Sequence, residues 1–332
     1  MNTPDVTRYA PQWLALREAA DAAARASELL EPLRLHLHGT DVPPAGGDAR
    51  TTPLVIRDLG CGTGSMGRWL APRLSGPQHW ILHDHDPELL ELAAAQLPRT
   101  AADGSPVTVA TEHGDVSRLT AERLAGTSLV TASALLDLFT REELDELATA
   151  CAGAGCPVLL ALSVTGRVEL RPADPMDTEI MEAFNAHQRR AERGRRLLGP
   201  DAVTVAAAAF TRSGMSVHTR PSPWQLTTAV DGVPDAPAAP GPPGGTGGTD
   251  TTGSADTTGS ADSSSHAQQS RQLAKEWLRG WVGAAREQRP DLAPRADAYL
   301  RRHLEACQVG ELSVTVGHDD LLALPGPTGG AS

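Results

Sequence analysis

Aromatic residues, positive charge and long apolar runs are all scarce in this chain of 332 residues. Aromatics make up only 3% of it, so Ala, Leu and Val must fill most of a core, for which a hydrophobic content of 40% is sufficient. The net charge of -12 argues against binding to nucleic acid or to an anionic membrane surface, because both draw on clustered Lys and Arg. No run of about 18 apolar residues occurs, which excludes a spanning helix. The amino terminus lacks the features of a signal peptide, so we expect a soluble, cytoplasmic protein.

Cysteine is also scarce. The four cysteines (Cys61, Cys151, Cys156 and Cys307) form no Cys-x-x-Cys pair, and no histidines accompany them at the spacing of zinc ligands. We therefore expect reduced, mostly buried thiols and no metal site.

One internal segment has the composition of a disordered insertion. Residues 233–270 are rich in Pro, Gly, Ser, Thr, Ala and Asp and contain a tandem copy of TTGSAD, so they cannot bury enough apolar surface to offset the entropy of ordering them. This divides the chain into an N-terminal helical segment (1–50), a core (51–232), the insertion (233–270), C-terminal helices with a last strand (271–325) and a disordered tail (326–332).

Apolar runs alternate with helical patterns through the core. The patterns predict a helix over 11–30 and then buried strands near 53–58, 79–83, 106–110, 128–132 and 157–163, with helices between them. Asp86 before Pro87, and Thr140 three residues before Glu143, are typical of helix starts. Strands that alternate with helices, each strand a continuous apolar run, predict a doubly wound α/β fold whose sheet is mainly parallel and has helices on both faces.

The glycine-rich segment Asp58–Gly64, with sequence DLGCGTG, follows the first predicted strand. Glycines at this position let the chain turn sharply and let a ligand approach the backbone. Ligands of doubly wound sheets bind beyond the carboxyl ends of the strands, so this loop is a candidate cofactor site. The overlapping segment Gly62–Gly67 also fits the dinucleotide pattern GxGxxG, with Asp84 about 20 residues further on, so glycine spacing alone leaves two cofactors open.

Acidic residues at the ends of three predicted strands distinguish between the two possible cofactors. DLGCGTG resembles the first motif of class I S-adenosylmethionine-dependent methyltransferases, in which an acid precedes the glycines, whereas a dinucleotide fingerprint usually has an apolar residue at the position of Asp58. The segment HDHDPELL resembles that family's second motif, in which the acid, here Asp84, accepts hydrogen bonds from both ribose hydroxyls. Asp115 follows Gly114 where the family places an Asp beside the adenine amino group. The resemblance implies S-adenosyl-L-methionine as cofactor, with these binding residues: Asp58, Gly60, Cys61, Gly62, Gly64, Asp84, His85, Asp115, Val116 and Ser133.

The family resemblance also implies seven strands, the last of them inserted antiparallel. Residues 217–226 and 311–324 supply two further strand candidates; prolines confine the first to a sheet edge, and the second has a break at Gly317. A helix is predicted over 271–288 between them.

The residues after the fourth and fifth strands are expected to face the methyl acceptor. Asp137 is a candidate for substrate contact or proton acceptance; the alternative is a solvated acid before the Thr140 cap. The Asn/Asp-Pro-Pro-Tyr/Phe pattern of enzymes that methylate exocyclic amino groups is missing here, which disfavours nucleobase and glutamine substrates. His187, on a predicted helix over 179–190 in an arginine-rich stretch, is a second catalytic candidate, and that stretch favours a polar or anionic small molecule; the alternative is an ordinary solvated helix.

Two other functions stay open at this stage: a nicotinamide-dependent oxidoreductase that uses the overlapping GxGxxG, and a non-catalytic cofactor-binding or interaction module. The sequence does not name the accepting atom or the oligomeric state.

Overall fold

The computed structural model describes residues 10–38, 52–116, 119–192, 194–228 and 259–326. The helices of these ranges are α1 (Pro11–Ala24), α2 (Leu30–His38), α3 (Ser65–Leu70), α4 (Pro87–Gln96), α5 (Arg141–Ala154), α6 (Asp177–Gln188), α7 (Ala202–Arg212), α8 (Gly259–Gln288) and α9 (Ala293–Val309). The strands are β1 (Leu54–Leu59), β2 (Gln78–Asp84), β3 (Val107–His113), β4 (Leu129–Ser133), β5 (Val158–Arg171), β6 (Ala191–Glu192), β7 (Arg195–Arg196), β8 (Met215–Pro221), β9 (Trp224–Thr227) and β10 (Ser313–Pro325).

The main sheet has the strand order β3-β2-β1-β4-β5-β10-β8. Strands β1 to β5 pair in parallel, whereas β10 is antiparallel to both β5 and β8. Strand β9 pairs with the first residues of β10 and β8 with the last, so these two short strands share one edge position and the sheet is seven positions wide. The predicted doubly wound, mainly parallel, seven-stranded fold is confirmed.

Helices cover both faces of the sheet. Helices α2, α3 and α4 pack into one hydrophobic cluster and α5 and α7 into another, with strand residues contributing to each. Strands β1, β2, β4 and the first part of β5 bury their apolar side chains on both faces, which is why they read as nearly continuous apolar runs in the sequence.

Strands β5 and β10 are about twice as long as typical strands, at 14 and 13 residues. The prediction that the fifth strand ends at residue 163 was wrong: Ser163 pairs with Asp319 and the ladder continues to Arg171, although the apolar run has ended. A register shift in β10 between Val316 and His318 confirms the break expected at Gly317. The extended ends of β5 and β10 join β9, α1, α6, α8 and α9 in a third hydrophobic cluster, which lies over the carboxyl ends of the parallel strands.

The predicted single helix over 11–30 is divided in two. Helix α1 ends at Ala24 because Arg25 adopts an extended conformation, and α2 begins only at Leu30. The backbone N–H of Ala26, freed by this break, donates to Asp320 Oδ2 of β10 at 2.8 Å. A buried tertiary hydrogen bond therefore replaces the helical one that periodicity predicts. Residues 1–9 and 39–50 of the predicted helical segment lie outside the described residues.

The predicted boundary of the insertion at residue 270 was also wrong, since helix α8 begins at Gly259. Small polar residues are compatible with a helix when it extends from a packed segment, and α8 is packed from Leu273 onward. Residues 233–258 and 327–332, predicted to be disordered, lie outside the described residues.

Several local predictions are confirmed. Asp86 accepts a hydrogen bond from the N–H of Glu88 at the start of α4, and Thr140 and Glu143 form a capping box at the start of α5. All four cysteines are free and buried. Among the helices of the described ranges, none is long and apolar enough to cross a membrane; the cytoplasmic location stays a prediction.

Candidate active site at the carboxyl ends of the strands

A cavity of about 740 Å³ opens at the carboxyl ends of β1 to β4. One side is formed by the glycine-rich loop after β1 and the residues that follow β2, β3 and β4. The other side is formed by α1, α6, α8 and the extended ends of β5 and β10. This is the position at which doubly wound sheets bind ligands.

Left-handed backbone shapes the glycine-rich loop, with φ of +59° at Gly60, +54° at Gly62 and +87° at Gly64. Gly60 and Gly62 line the cavity, and a Cβ at Gly62 would lie 3.3 Å from Leu14 Cδ1 of α1. Gly64 does not line it. A Cβ there would lie 3.1 Å from Ala93 Cβ of α4, so Gly64 serves helix packing, and we withdraw it from the cofactor-binding set.

The carboxylate of Asp84, at the end of β2, is fixed by backbone groups and is only 4% exposed. Its Oδ2 accepts a hydrogen bond from the N–H of Gly62 at 2.9 Å, and its Oδ1 accepts from the N–H of Asp86 at 3.0 Å. His85 Nδ1 lies 3.2 Å from the same Oδ1. Since each carboxylate oxygen has two lone pairs, Oδ2 keeps the capacity to accept one further hydrogen bond from a ligand in the cavity, and Oδ1 keeps a second when His85 does not donate to it.

Only one of the two carboxylate oxygens of Asp58, at the end of β1, accepts a hydrogen bond from the described residues. Thr131 donates to its Oδ1 at 2.8 Å, while its Oδ2 is buried and has no hydrogen-bond partner in the described part of the chain. Burial raises the pKa of Asp58 to about 7, although the Thr131 hydrogen bond and the charge of Arg25 act in the opposite direction. A buried carboxylate with an unpartnered oxygen is suited to a cationic group of a ligand.

The remaining predicted cofactor residues also meet at this cavity. His85, Asp115 and Val116 line it beyond β2 and β3, and Cys61 and Ser133 line it beyond β1 and β4. Burial raises the pKa of the Cys61 thiol, which therefore stays protonated near neutral pH. Apart from Gly64, the structure brings the whole predicted set together.

A buried arginine that lies behind the side of the cavity formed by the strand ends was missed by the sequence analysis. Arg25 is 4% exposed, and its Nη2 donates to Ser65 Oγ and Ser133 Oγ, both at 3.1 Å. Its Nε and Nη1 have no hydrogen-bond partner among the described residues. Burial lowers the pKa of the guanidinium, and the charges of Asp21, Asp320 and Asp58 oppose that shift. Helical periodicity cannot reveal it, because Arg25 is buried only where the helix breaks.

Asp137, one of the two predicted catalytic residues, lines the cavity from the turn that follows β4. Its side chain is half-buried. Burial raises the pKa of this carboxyl to about 6, and its own backbone N–H and the charges of Arg17 and Arg190 act in the opposite direction. It is therefore ionised at neutral pH and able to accept a proton from a bound molecule.

His187, the other predicted catalytic residue, does not line the cavity. Helix α6 contributes Phe184, Asn185 and Gln188 to the cavity lining. His187 lies on a different side of the helix, where its Nδ1 is 3.9 Å from a carboxylate oxygen of Glu287 of α8. The spacing that placed 184, 187 and 188 near one face could not show which part of that face points inward. We withdraw His187 as a catalytic candidate.

Two arginines of the stretch that favoured an anionic substrate are paired within the protein. Arg189 forms a two-pronged ion pair with Asp201, and Arg195, at the cavity wall, forms one with Glu143. Their positive charge is therefore neutralised before any ligand binds.

The opposite wall contains residues that the sequence analysis did not single out as site residues. Arg17 of α1 pairs with Asp21 through two hydrogen bonds of 2.9 and 3.0 Å, and its guanidinium lies 4.9 Å from the ring centre of Trp224. His318 of β10 is 4% exposed, and its Nδ1 has no hydrogen-bond partner among the described residues. Burial lowers the pKa of His318 to about 3, so the imidazole is neutral.

Comparison with known protein families shows which family has a domain similar to the one that carries this site. A family model described as a methyltransferase domain matches residues 56–154, which extend from β1 to the end of α5 and carry Asp58, Asp84 and Asp115 of the cavity. The chain contains a methyltransferase domain. Its strand order and the position of Asp58, Asp84 and Asp115 at successive strand ends agree with this, and the resemblance to class I methyltransferases is confirmed.

Solved structures similar to the chain bear the same description. A phosphoethanolamine N-methyltransferase 2 of Haemonchus contortus in complex with S-adenosyl-L-methionine is 12% identical, covers 97% of this chain and 59% of its own, and has a TM-score of 0.42. A methyltransferase of Geobacter sulfurreducens in complex with S-adenosyl-L-homocysteine is 14% identical, with 96% and 99% covered and a TM-score of 0.39. Magnesium protoporphyrin IX methyltransferase of Synechocystis PCC 6803 is 13% identical, with 64% and 77% covered and a TM-score of 0.36.

Likenesses this distant carry no argument about the acceptor of the methyltransferase domain. No curated protein matches the chain.

Proposed function

We propose that this methyltransferase domain binds S-adenosyl-L-methionine in the cavity and methylates a small molecule. The observation that carries the proposal is the buried Oδ2 of Asp58, which has no hydrogen-bond partner among the described residues and lies in the same cavity wall as the fixed carboxylate of Asp84. A ligand with a cationic group and two neighbouring hydroxyls satisfies both carboxylates.

Each end of the cofactor has residues suited to it. The Asp58 carboxylate would hold the ammonium of the methionine part, and Asp84 would accept hydrogen bonds from the ribose hydroxyls. Asp115 would accept from the adenine amino group, while the lack of side chains at Gly60 and Gly62 leaves room for the cofactor to pass along the loop.

When bound, S-adenosyl-L-methionine supplies an electrophilic methyl group whose bond to sulfur breaks, with the electron pair kept by sulfur. The protein's main task is then to hold the acceptor in line with that group and to keep water out. Asp137, at the cavity wall and ionised at neutral pH, is positioned to accept the proton that the acceptor loses.

The nicotinamide alternative rests on the GxGxxG match, and its last glycine has another explanation. A Cβ at Gly67 would lie 2.5 Å from Leu97 Cδ1 and 3.6 Å from the Trp80 ring, so the absence of a side chain at Gly67 makes room for Leu97, whatever the cofactor. The match therefore adds little in favour of a dinucleotide.

Calorimetry on the full chain tests the cofactor. We expect S-adenosyl-L-homocysteine to bind, and Asp84→Asn to weaken it by about tenfold or more, because a neutral amide offers a single acceptor oxygen. Asp86→Asn is the matched control, since Asn also caps helices and the α4 cap is kept. Tighter binding of NADH than of S-adenosyl-L-homocysteine would contradict the proposal.

Catalysis is tested separately by incubating the protein and labelled cofactor with a metabolite extract and identifying labelled products by mass spectrometry. A protein that binds S-adenosyl-L-homocysteine but labels nothing would support the non-catalytic module instead.

A further inference from the structure

Aromatic side chains are concentrated at the cavity of a chain that has few of them. The sequence contains six Trp, two Tyr and three Phe. The cavity is lined by five of these: Trp13, Phe139, Phe184, Trp224 and Trp277. Since aliphatic residues fill most of the core, this concentration points to an occupant of the cavity that contacts rings.

Three of these aromatics come from three different helices on the acceptor side. Trp13 of α1, Phe184 of α6 and Trp277 of α8 are half-buried, whereas core aromatics such as Trp80 and Trp281 are at most 1% exposed. A half-buried ring keeps apolar surface that a ligand can cover, and each Å² that is covered contributes about 25 cal/mol.

The rings are held in fixed orientations, which favours a flat ligand over a bulky one. Trp277 stacks on Trp281 with 5.0 Å between ring centres and 18° between planes. The Trp224 ring centre lies 4.9 Å from the Arg17 guanidinium and 5.2 Å from the centre of the His318 ring. Rings fixed in this way prefer stacked or edge-to-face contacts with another planar group.

The polar side chains of this wall include acceptors as well as donors, and Arg167 is among the donors. The Arg17 and Arg195 guanidinium groups already donate to Asp21 and Glu143. The Asp137 carboxyl lines the cavity and is an acceptor when ionised. A ligand with a hydroxyl or amino hydrogen satisfies it, whereas an anionic ligand would face this carboxylate with its own negative charge.

We infer that the methyl acceptor is a flat, largely aromatic molecule that directs a hydroxyl or amino hydrogen toward Asp137. This inference rests on the proposed function and names its substrate class. The O–H or N–H proton passes to the Asp137 carboxylate, and the electron pair left on oxygen or nitrogen forms the new bond to the methyl carbon.

Binding of three matched probes to the full chain, saturated with S-adenosyl-L-homocysteine, tests this inference by tryptophan fluorescence and calorimetry. Naphthol is flat and carries a donor, decahydronaphthol has the donor but is puckered, and methoxynaphthalene is flat without a donor. We expect naphthol to bind about tenfold more tightly than either of the others. Equal binding of all three, or no binding of naphthol, overturns the inference.

Variants assign the preference to residues. Trp277→Leu and Phe184→Leu should weaken the binding of naphthol by about tenfold and leave the binding of S-adenosyl-L-homocysteine unchanged. Trp277→Phe should retain most of the affinity for naphthol. Asp137→Ala should remove the preference of naphthol over methoxynaphthalene. Unchanged naphthol affinity in both Leu variants contradicts the aromatic contact. If naphthol binds and S-adenosyl-L-homocysteine does not, the proposed function fails and the flat-ligand site stands.

Discussion

Asp320 of β10 accepts a hydrogen bond from the backbone N–H of Ala26 at 2.8 Å, across 294 positions of the sequence. Its other oxygen, Oδ1, accepts from the N–H of Leu162 at 2.7 Å and from Ser222 Oγ at 2.6 Å. One buried carboxylate therefore joins the break between α1 and α2, the middle of β5 and the break between β8 and β9. All three segments surround the cavity.

Asp320→Ala should lower the free energy of unfolding by about 3–5 kcal/mol, because it leaves three buried donors without an acceptor. Denaturant unfolding of the full chain measures this. Asp319→Ala, at the next position of β10 but only half-buried, is the control and should cost about 1 kcal/mol or less. Equal losses in the two variants would show that the Asp320 hydrogen bonds contribute little.

Gly62→Ala should weaken the binding of S-adenosyl-L-homocysteine by about tenfold while the protein stays folded. The added Cβ would lie 3.3 Å from Leu14 Cδ1, and alanine at a φ of +54° would strain the backbone at the cavity wall. Gly104→Ala is a matched control. Gly104 has a φ of +83° and nothing within 4 Å of an added Cβ, so the variant carries similar strain away from the cavity. Calorimetry measures the affinity of both variants for S-adenosyl-L-homocysteine and so separates the effect of backbone strain from the effect of a Cβ at the cavity wall. Equal affinities would contradict a close approach of the cofactor at Gly62.

The stability of the cofactor-free protein should depend on pH through Asp58. Its pKa is raised from 3.8 to about 7 by burial, so the folded state binds the proton more tightly than the unfolded chain does. Its contribution to stability is therefore full below about pH 4 and is lost as the pH rises through about 7. Burial also raises the pKa of Asp137 and Asp320, which act in the same direction.

Asp58→Asn isolates this contribution, because the amide oxygen can still accept from Thr131. The variant should gain stability over the wild type as the pH rises from 4 to 7 in thermal or denaturant unfolding. In the wild type, binding of S-adenosyl-L-homocysteine should release a proton below pH 7, visible as a binding enthalpy that depends on the ionisation heat of the buffer. The absence of proton release would argue against the pairing of Asp58 with the ammonium group.

Methyl transfer at saturating cofactor should increase as the pH rises through about 6, because ionisation of Asp137 creates the proton acceptor. Asp137→Asn should lower kcat by about 10²-fold and remove this step from the pH profile, with S-adenosyl-L-homocysteine affinity unchanged. A variant that keeps the pH step would exclude Asp137 as the acceptor of the proton.

His187→Ala should leave turnover within about twofold of the wild type, because His187 does not line the cavity. Gln188→Ala, the adjacent residue that does line it, provides the comparison and should raise KM for the acceptor. Loss of turnover in His187→Ala alone would restore the catalytic role that the sequence suggested.

The cofactor half of the cavity could be predicted from the sequence because it is built from short local patterns. Asp58 and Asp84 lie at the ends of buried strands and Asp115 follows the edge strand β3, and parallel strands place their carboxyl ends at one edge of a sheet. The helix caps at Asp86 and Thr140 are local in the same sense, which is why they too are confirmed.

The rest of the site depends on contacts between segments far apart in the chain. Arg25 and Asp320 are buried and interact across almost 300 residues, and no periodicity links them. The continuation of β5 past Ser163 likewise depends on pairing with β10 rather than on its own composition. The position of His187 away from the cavity could not be predicted for the same reason, since the packing of α6 against α8 sets which side of the helix faces inward.

Strand β10 lies inside the sheet, between β5 and β8, although it is synthesised after both. During translation the parallel strands β1 to β5 can associate before β10 has been made, since their parallel pairings with one another involve no residue beyond β5. The Asp320 junction and the wall formed by β10 cannot form until the chain has been made as far as Pro325. The half of the pocket that serves the cofactor can thus be assembled in a nascent chain before the half that selects the acceptor.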